Sequence, residues 1–503
     1  MKKEIRMLVI ISLCILVSYN FINAQNRGNN IFFQGVENIA ESNASVLGLG
    51  GAYTSIFGTI NVLSYNTACL TGINNIQLSV SGGSIARKWT ENQEYYPNRL
   101  FVTLPFYLQG LYVPDPANNG KMDYDVFYQG LEDSLYRVAF PDTGLASFSD
   151  EAADWIRKEK TAGLTNIAIA YPIKIADKNF VLAASWNRKL DFFDYDRNDT
   201  YLDPHPGYTG YNMPQMVNGT DSVQVNWYIF DRYRSGSLQE FRGALAIDLS
   251  KNVKIGFGIT YLNGKTNDNQ VLDKVGWFRL FDINKFSFSY DTLKVTTLGT
   301  SKFSGYKADL GLLIKLERLN LGLNLKMPYT IIKKSEYDIT TTDPTSENVI
   351  TIKNKDKLKV PLCYTIGVSL YPTDKFIISL DYDFNLYSHT EWEIASNDTI
   401  YQEWVDQQII KFGLQYSPFK FLDMRAGYRL IPQVWVPDGS AGRNNGPEAK
   451  ALTIGVGFKL DKYGTVDLAW EYRLLKYFDQ YFSNTNYCKD ITNNVLISYS
   501  YKF

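Results

Sequence analysis

With 503 residues, 51 basic and 52 acidic side chains, the chain is close to neutral, which excludes the basic footprint of a nucleic-acid binder. Thirty-six tyrosines and 29 phenylalanines stand beside only two histidines. That balance suits a surface set between oil and water and argues against an acid–base enzyme.

Residues 1–24 read as a secretory leader: Lys2, Lys3 and Arg6 precede the apolar run 8–17 (LVIISLCILV), and Asn23-Ala24 offers a cleavage site before Gln25. Cys14 lies inside the apolar run rather than at its end, so no lipoprotein anchor is expected. No later apolar run approaches the ~20 residues that a membrane-crossing helix requires. Cys69, Cys363 and Cys488 remain, an odd number that excludes a complete disulfide framework. Buried free thiols are expected, with a single Cys69–Cys363 bridge as the alternative.

The stretch 45–70 (SVLGLGGAYTSIFGTINVLSYNTACL) is too rich in small residues for a membrane strand and too apolar for a solvated linker. Gly48, Gly50 and Gly51 permit sharp turns and close backbone approach. Leu47, Leu49, Tyr53, Ile56 and Phe57 need burial, so residues 25–73 are expected to form a plug inside something hollow.

From residue 74 onward period-two alternation dominates. Leu319, Leu321, Leu323, Leu325 and Met327 share one face, as do Leu452, Ile454, Val456, Phe458 and Leu460. Strands are predicted near 75–87, 163–172, 179–190, 239–249, 253–264, 303–315, 318–328, 359–370, 375–387, 408–416, 420–431, 450–459, 464–475 and 493–503. Their connectors alternate short (250–252, 371–374, 417–419, 460–463) and long (191–238, 265–302, 329–358). An even strand number with turns sorted by length is the signature of a bacterial transmembrane β-barrel and not of a soluble sandwich. The predicted fold is therefore all-β: an antiparallel barrel of about 14 strands over 74–503, in the outer membrane of a Gram-negative cell. The last strand ends Val495, Ile497, Tyr499, Tyr501, Phe503 on one face.

An insertion at 88–162 is too long for a structureless loop. Tyr124, Phe127, Tyr128, Leu131 and Leu135 fall at helical spacing, and Ser147 with Asp150 suggests a capping box ahead of a second helix through Ala153 and Trp155. A partly helical extracellular cap is expected there.

Enzyme signatures are weak. His205 and His389 sit in separate long loops, and no nucleophile elbow or P-loop occurs. The run 194–199 (DYDRND) fails the calcium-loop pattern at its sixth and twelfth positions. No catalytic residue, metal or cofactor is expected. Charge gathers instead on the inward strand faces, at Asp381, Asp383, Asp423, Arg425, Arg429, Asp467, Glu471 and Arg473. These side chains either brace lumen and plug, or Arg425, Arg429 or Arg473 receives the carboxylate of an amphiphile.

The glycine-rich stretch 44–70, the hairpin 165–186 (TNIAIAYPIKIADKNFVLAASW), the strand number and the aromatic terminus together resemble the FadL/TodX outer-membrane transporters of hydrophobic compounds. The family's hatch ends in Asn-Pro-Ala, which here reads Asn66-Thr67-Ala68. The resemblance implies capture of hydrophobic molecules such as long-chain fatty acids at extracellular loops, a lumen site, and lateral release past a hatch. The hatch would be carried by Gly48, Gly50, Gly51, Asn66, Thr67 and Ala68, and the wall opening by Ala183, Ala184 and Ser185. Implied partners are membrane lipids, lipopolysaccharide, the hydrophobic ligand and, through the C-terminal strand, the barrel-assembly machinery. The alternative is a binding or scaffold barrel that partners a protein-secretion machine, and the two differ in whether the lumen is apolar or filled by ion pairs.

Overall fold

The computed structural model describes residues 31–38, 40–95, 146–175, 178–203, 222–281, 285–394, 399–401, 404–437, 446–480 and 484–503. Fourteen strands make one antiparallel wall. They are β1 (Gln77–Tyr95), β2 (Trp155–Ile175), β3 (Lys178–Lys189), β4 (Ser222–Asp248), β5 (Val253–Phe281), β6 (Lys285–Lys315) and β7 (Leu319–Lys326). Then come β8 (Cys363–Thr373), β9 (Phe376–Asn385), β10 (Gln407–Phe419), β11 (Leu422–Pro432), β12 (Glu448–Lys459), β13 (Thr465–Gln480) and β14 (Asn484–Lys502). Each pairs with the next, and β1 closes on β14 from Gln77↔Lys502 to Tyr95↔Asn484. Every strand predicted from alternation recurs in this wall.

Along β12 the apolar Leu452, Ile454 and Phe458 are exposed while Ala451 and Thr453 are buried. Ile497 on β14 is 55% exposed, its neighbour Ser498 1%. A continuous exposed apolar face is unstable in water and correct against lipid, and closure removes the sheet edge that lipid cannot satisfy. The molecule is thus an outer-membrane β-barrel. Its short turns, 249–252, 316–318 and 460–464, share one rim with both ends of the wall; by sequence parity the longer connections share the other. Short turns mark the periplasmic side.

At the outer rim the structure departs from expectation. The described residues of 265–302 and nearly all of 329–358 are strand, where loops were expected. Strands β5 and β6 continue past the membrane, and a hairpin of Tyr329–Thr342 and Glu347–Val360 pairs onto β6 from Gly305↔Ile331 to Lys294↔Thr342. Asp194–Asp203 adds to the outer part of β4, and Glu391–Ile394 to the end of the hairpin. The wall is thereby raised into a collar. Here the outward residues meet water and turn polar, so the apolar alternation stops where the strands do not.

The second helix expected behind Ser147 and Asp150 is also corrected. Residues 146–154 are turns and Trp155 opens β2, whose ladder with β1 reaches Glu91↔Trp155. Ser149, not Ser147, accepts a hydrogen bond from a following backbone amide, that of Ala152, while Asp150 pairs with Lys88 and Lys489. Most of the insertion, with Tyr124, Phe127, Tyr128, Leu131 and Leu135, lies outside the described residues, as does the leader.

Inside the wall runs the N-terminal segment. Residues 31–38 form a strap in the collar, and α1 (Ala44–Gly48) with two short 3-10 turns, Ile60–Ser64 and Thr67–Gly72, fills the periplasmic half. Its apolar side chains Val46, Leu49, Tyr53, Ile60, Val62 and Leu70 are buried together with the small wall residues Ala168, Ala170, Ala183 and Ala246. Backbone meets backbone at wall glycines. A Cβ on Gly427 would lie 2.3 Å from the Gly50 nitrogen, one on Gly413 2.5 Å from the Leu49 carbonyl, and one on Gly322 2.3 Å from the Thr54 carbonyl. Gly50 and Gly51 themselves take φ of +62° and +75°, open to glycine at little cost.

Gly427→Ala should therefore unseat the plug at a cost of about 1–3 kcal/mol of overpacking. The expected result is a lower temperature for the heat-induced gel shift of the folded barrel and faster proteolysis within 31–73; unchanged values of both would contradict a tight seat.

Candidate functional site in the lumen

The inward polar residues of the wall pair partly with plug atoms and partly with one another. Asp381 on β9 accepts hydrogen bonds from the Tyr53 and Thr54 amides, both 2.8 Å. Arg429 on β11 donates to Glu41 of the segment at 2.8 Å and also to Glu471 on β13. Gly51 sits where a Cβ would come within 2.5 Å of that same Glu41 carboxylate. Arg425 bridges Asp467 at 2.5 Å and Asp423 at 3.2 Å, and Lys411 holds Asp383 at 2.6 Å. Arg473 stands 3.7 Å from Asp191 and 3.9 Å from Glu471. The eight inward charges singled out in the sequence thus gather in the lumen, and the guanidiniums of Arg425 and Arg429 are engaged by carboxylates of the wall and segment.

Asn66 caps its 3-10 turn through a bond from the Ala68 amide at 3.1 Å and donates to the carbonyls of Thr54 (2.9 Å) and Leu312 (3.0 Å). Thr67 uses its hydroxyl to accept from Arg242 at 2.8 Å, and Arg242 is forked onto Asp309 at 2.5 and 2.8 Å. Ala68 presses its amide against Gly256, where a Cβ would be 2.4 Å away. Gly48 ends α1 against Gly455 and Arg425.

Ala183, Ala184 and Ser185 lie in β3, paired without interruption to Ala170, Ile169 and Ala168 on one side and to Ala244, Gly243 and Arg242 on the other. The wall is shut there, and the inward small side chain of Ala183 accommodates the plug's apolar core. The ladder slips instead between β1 and β2, at Ser81/Gly82, which bulges Thr165. Thr165 donates its hydroxyl proton to the Ser42 carbonyl at 2.9 Å, linking the slip to the segment.

Sequence reasoning did not foresee the two layers above the plug. The first is a cavity of about 240 Å³ lined by Glu41, Tyr65, Lys189, Glu240, Lys307 and Lys326, among others. Lys307 is paired with Glu240 at 2.7 Å, whereas Lys189 donates to the Val36 carbonyl at 3.0 Å. The second is an aromatic layer in which Phe33 meets Trp392 edge-on at 5.2 Å and Phe303 at 6.5 Å, with Phe192, Trp404, Leu238 and Ile331 around it. Arg234, held by Asp268 at 2.7 Å, donates to the carbonyls of Phe32 and Gln34, and Lys333 donates to that of Ile31 at 2.8 Å. Cationic tethers thus fix the strap whose Phe33 fills the apolar layer.

His389 lies in a turn of the outer rim beside Ser388, and His205 is outside the described residues. Asp194 and Asp196 of the expected acidic loop are strand residues paired with Arg232 at 2.7 and 3.5 Å. The three cysteines are free and buried, Cys69 in the plug and the others in the wall.

Similarity to known proteins can be set against this geometry. A family model described as BamG matches residues 207–429, under half of the chain. A comparison with curated proteins finds no match. Solved structures with the same architecture include a FadL homologue of Pseudomonas aeruginosa, 13% identical over 92% of this chain and 98% of that one, TM-score 0.55. The toluene transporter TodX of P. putida is 11% identical over 92% and 98%, TM-score 0.55. The toluene transporter TbuX of Ralstonia pickettii is 10% identical over 94% and 100%, TM-score 0.53. The likeness is one of fold.

Two outcomes are expected. Arg429→Ala strands the carboxylates of Glu41 and Glu471 and should cost about 3–5 kcal/mol, whereas Arg429→Met combined with Glu41→Gln and Glu471→Gln should recover most of it; unfolding midpoints in detergent decide. Glu37 in the strap has one carboxylate oxygen buried without a hydrogen bond among the described residues, and burial, aided by nearby Asp194, pushes its pKa up to about 6. The seated strap therefore binds a proton more readily than the released one. Seating is favoured fully below the ordinary carboxylate range and weakens as pH rises through about 6. Protease access to 31–38 should be greater at pH 8 than at pH 5, and Glu37→Gln should abolish the difference.

Proposed function

We propose that the barrel takes up a hydrophobic amphiphile, of the long-chain fatty-acid type, from the outer face and releases it sideways into the membrane. The observation that carries this reading is the aromatic layer in the outer half, packed around the chain's own Phe33, whose withdrawal would leave an apolar-lined space for a hydrocarbon tail. Directly below, Lys189 and Lys326 face the cavity with no carboxylate ion pair among the described residues, a setting for an anionic head. Entry would displace Phe33 and pull on the strap, and through Glu41 and Ser42 on the plug. Lateral exit is assigned to the β1–β2 slip rather than to Ala183–Ser185, because Thr165 couples that slip to the same segment. The hatch roles of Gly48, Gly50, Gly51, Asn66, Thr67 and Ala68 belong to this proposal, as does recognition of the outward Val495, Ile497, Tyr499 and Phe503 by the barrel-assembly machinery during insertion.

A second reading, a scaffold for a partner in a secretion machine, is favoured by a different observation. The periplasmic half of the lumen is closed by buried ion pairs, and the collar offers a rigid β platform, much of it within the stretch matched by the BamG family model.

Palmitate binding to the purified barrel separates the two. On the transport reading wild type binds palmitate, Phe33→Ala binds it several-fold more tightly, and Lys189→Gln with Lys326→Gln weakens it about tenfold. If neither wild type nor Phe33→Ala retains palmitate, and both instead co-purify with a secretion component, the scaffold reading stands.

A further inference from the structure

One row of the outer wall breaks the rule that like charges avoid each other across a sheet. Lys265 on β5 is directly opposite Lys302 on β6, Lys302 is opposite Lys334, and Lys334 is opposite Lys355 of the collar hairpin. All four lie exposed on the outward face, and none forms an ion pair among the described residues. Strand spacing of about 4.8 Å makes this a line of four ammonium-bearing side chains roughly 14 Å long. Directly opposed like charges are destabilising, so the row needs a reason.

Neighbouring rows show that the sheet can balance itself. Two residues further out, the row Asn267, Thr300, Glu336, Lys353 contains its own ion pair, Lys353–Glu336 at 3.0 Å. Two residues inward, the row Asn263, Ser304, Ile332, Lys357 has one charge, and it is paired with Glu393 at 2.7 Å. Of these three rows only the middle one is uniformly positive, and no ion pair among the described residues compensates it.

Its height on the barrel identifies what faces it. Four residues inward along β5 and β6, Trp186, Phe241, Tyr261 and Tyr306 form an outward aromatic row, opposite one another on four consecutive strands. Phe241 stacks on Tyr261 at 6.4 Å and Tyr261 meets Tyr306 at 5.0 Å. Such a girdle marks the edge of the hydrocarbon core. Four residues of a strand tilted 35–45° rise roughly 10 Å, which sets the lysines at the level of the outer-leaflet head groups.

We propose that Lys265, Lys302, Lys334 and Lys355 form a binding ladder for the phosphate groups of lipopolysaccharide in the outer leaflet. Anionic phosphates placed along the row convert its three opposed like-charge pairs into charge-assisted contacts, and the fixed strand spacing presents them as a line rather than a diffuse patch. The proposal is independent of the transport reading, since the row faces lipid and not the lumen.

The test uses the full barrel in detergent with three probes: intact lipopolysaccharide, the same lipid after enzymatic dephosphorylation, and phosphatidylglycerol. Native mass spectrometry should show intact lipopolysaccharide retained by wild type and by a variant with all four lysines changed to arginine. Retention should fall at least tenfold for the variant with all four changed to glutamine, and the dephosphorylated lipid should bind wild type as weakly. Without lipid the glutamine variant should melt no earlier than wild type, because it loses only repulsion; with lipopolysaccharide wild type should gain the larger increase. Equal retention by the glutamine variant, equal binding of the dephosphorylated lipid, or tighter binding of phosphatidylglycerol than of lipopolysaccharide would each overturn the assignment.

Discussion

Contact of backbone with backbone, permitted by glycine on both sides, is the constraint on which the rest of this barrel depends. Gly413, Gly427 and Gly455 on neighbouring strands leave the room into which residues 48–50 fit, and Gly256 and Gly311 do the same for residues 66–68. A wall of ordinary side chains would hold the plug several ångströms away, beyond reach of Asp381 for the Tyr53 and Thr54 amides. The polar matching in the lumen is therefore secondary to a steric fit. Once the fit exists, Asp381, Arg425, Arg429 and Arg242 find their partners at close range, which is the condition under which burying them is tolerated.

The lumen is stratified as a result. An apolar plug core, a polar cavity and an aromatic layer follow one another from periplasm to collar, and a single segment runs through all three. Phe33 at the top and Asn66 near the bottom belong to one continuous stretch of chain, pinned at Arg234, Lys333, Arg429 and Arg242. The three levels are thus joined by one backbone as well as through the wall. The binary question of an apolar or an ion-paired lumen thus has a layered answer.

The membrane-spanning part of the fold was legible in the sequence because lipid forces a strict alternation, and all fourteen strands follow from it. The collar was not, because Lys302, Lys334 and Thr300 lie beyond the hydrocarbon core and erase the apolar period while the hydrogen-bonded ladder continues. The capping pattern at Ser147 and Asp150 misled because a local motif was weighed without the cross-strand register that draws Trp155 into β2. The inward charges were identifiable by parity, but the partnership of Arg429 with Glu41 spans 388 positions and has no local trace. Ala183 and its neighbours were read as a gap. In the closed wall Ala183 packs into the plug's apolar core, a role visible only with the plug in place.

The course of the N-terminal segment also constrains how the molecule can be built. Ile31 is held in the collar while Gln77 begins the wall at the periplasmic rim, so the segment runs up the inside of the cylinder that its own downstream chain encloses. Drawing it through a finished barrel would drag Glu41 past a ring of desolvated charges. A seam between β1 and β14 that closes last, around a segment already in position, avoids that passage. In that order of closure the lumen filler would serve as a mandrel, with its glycine contacts setting the bore before the final strand pair locks.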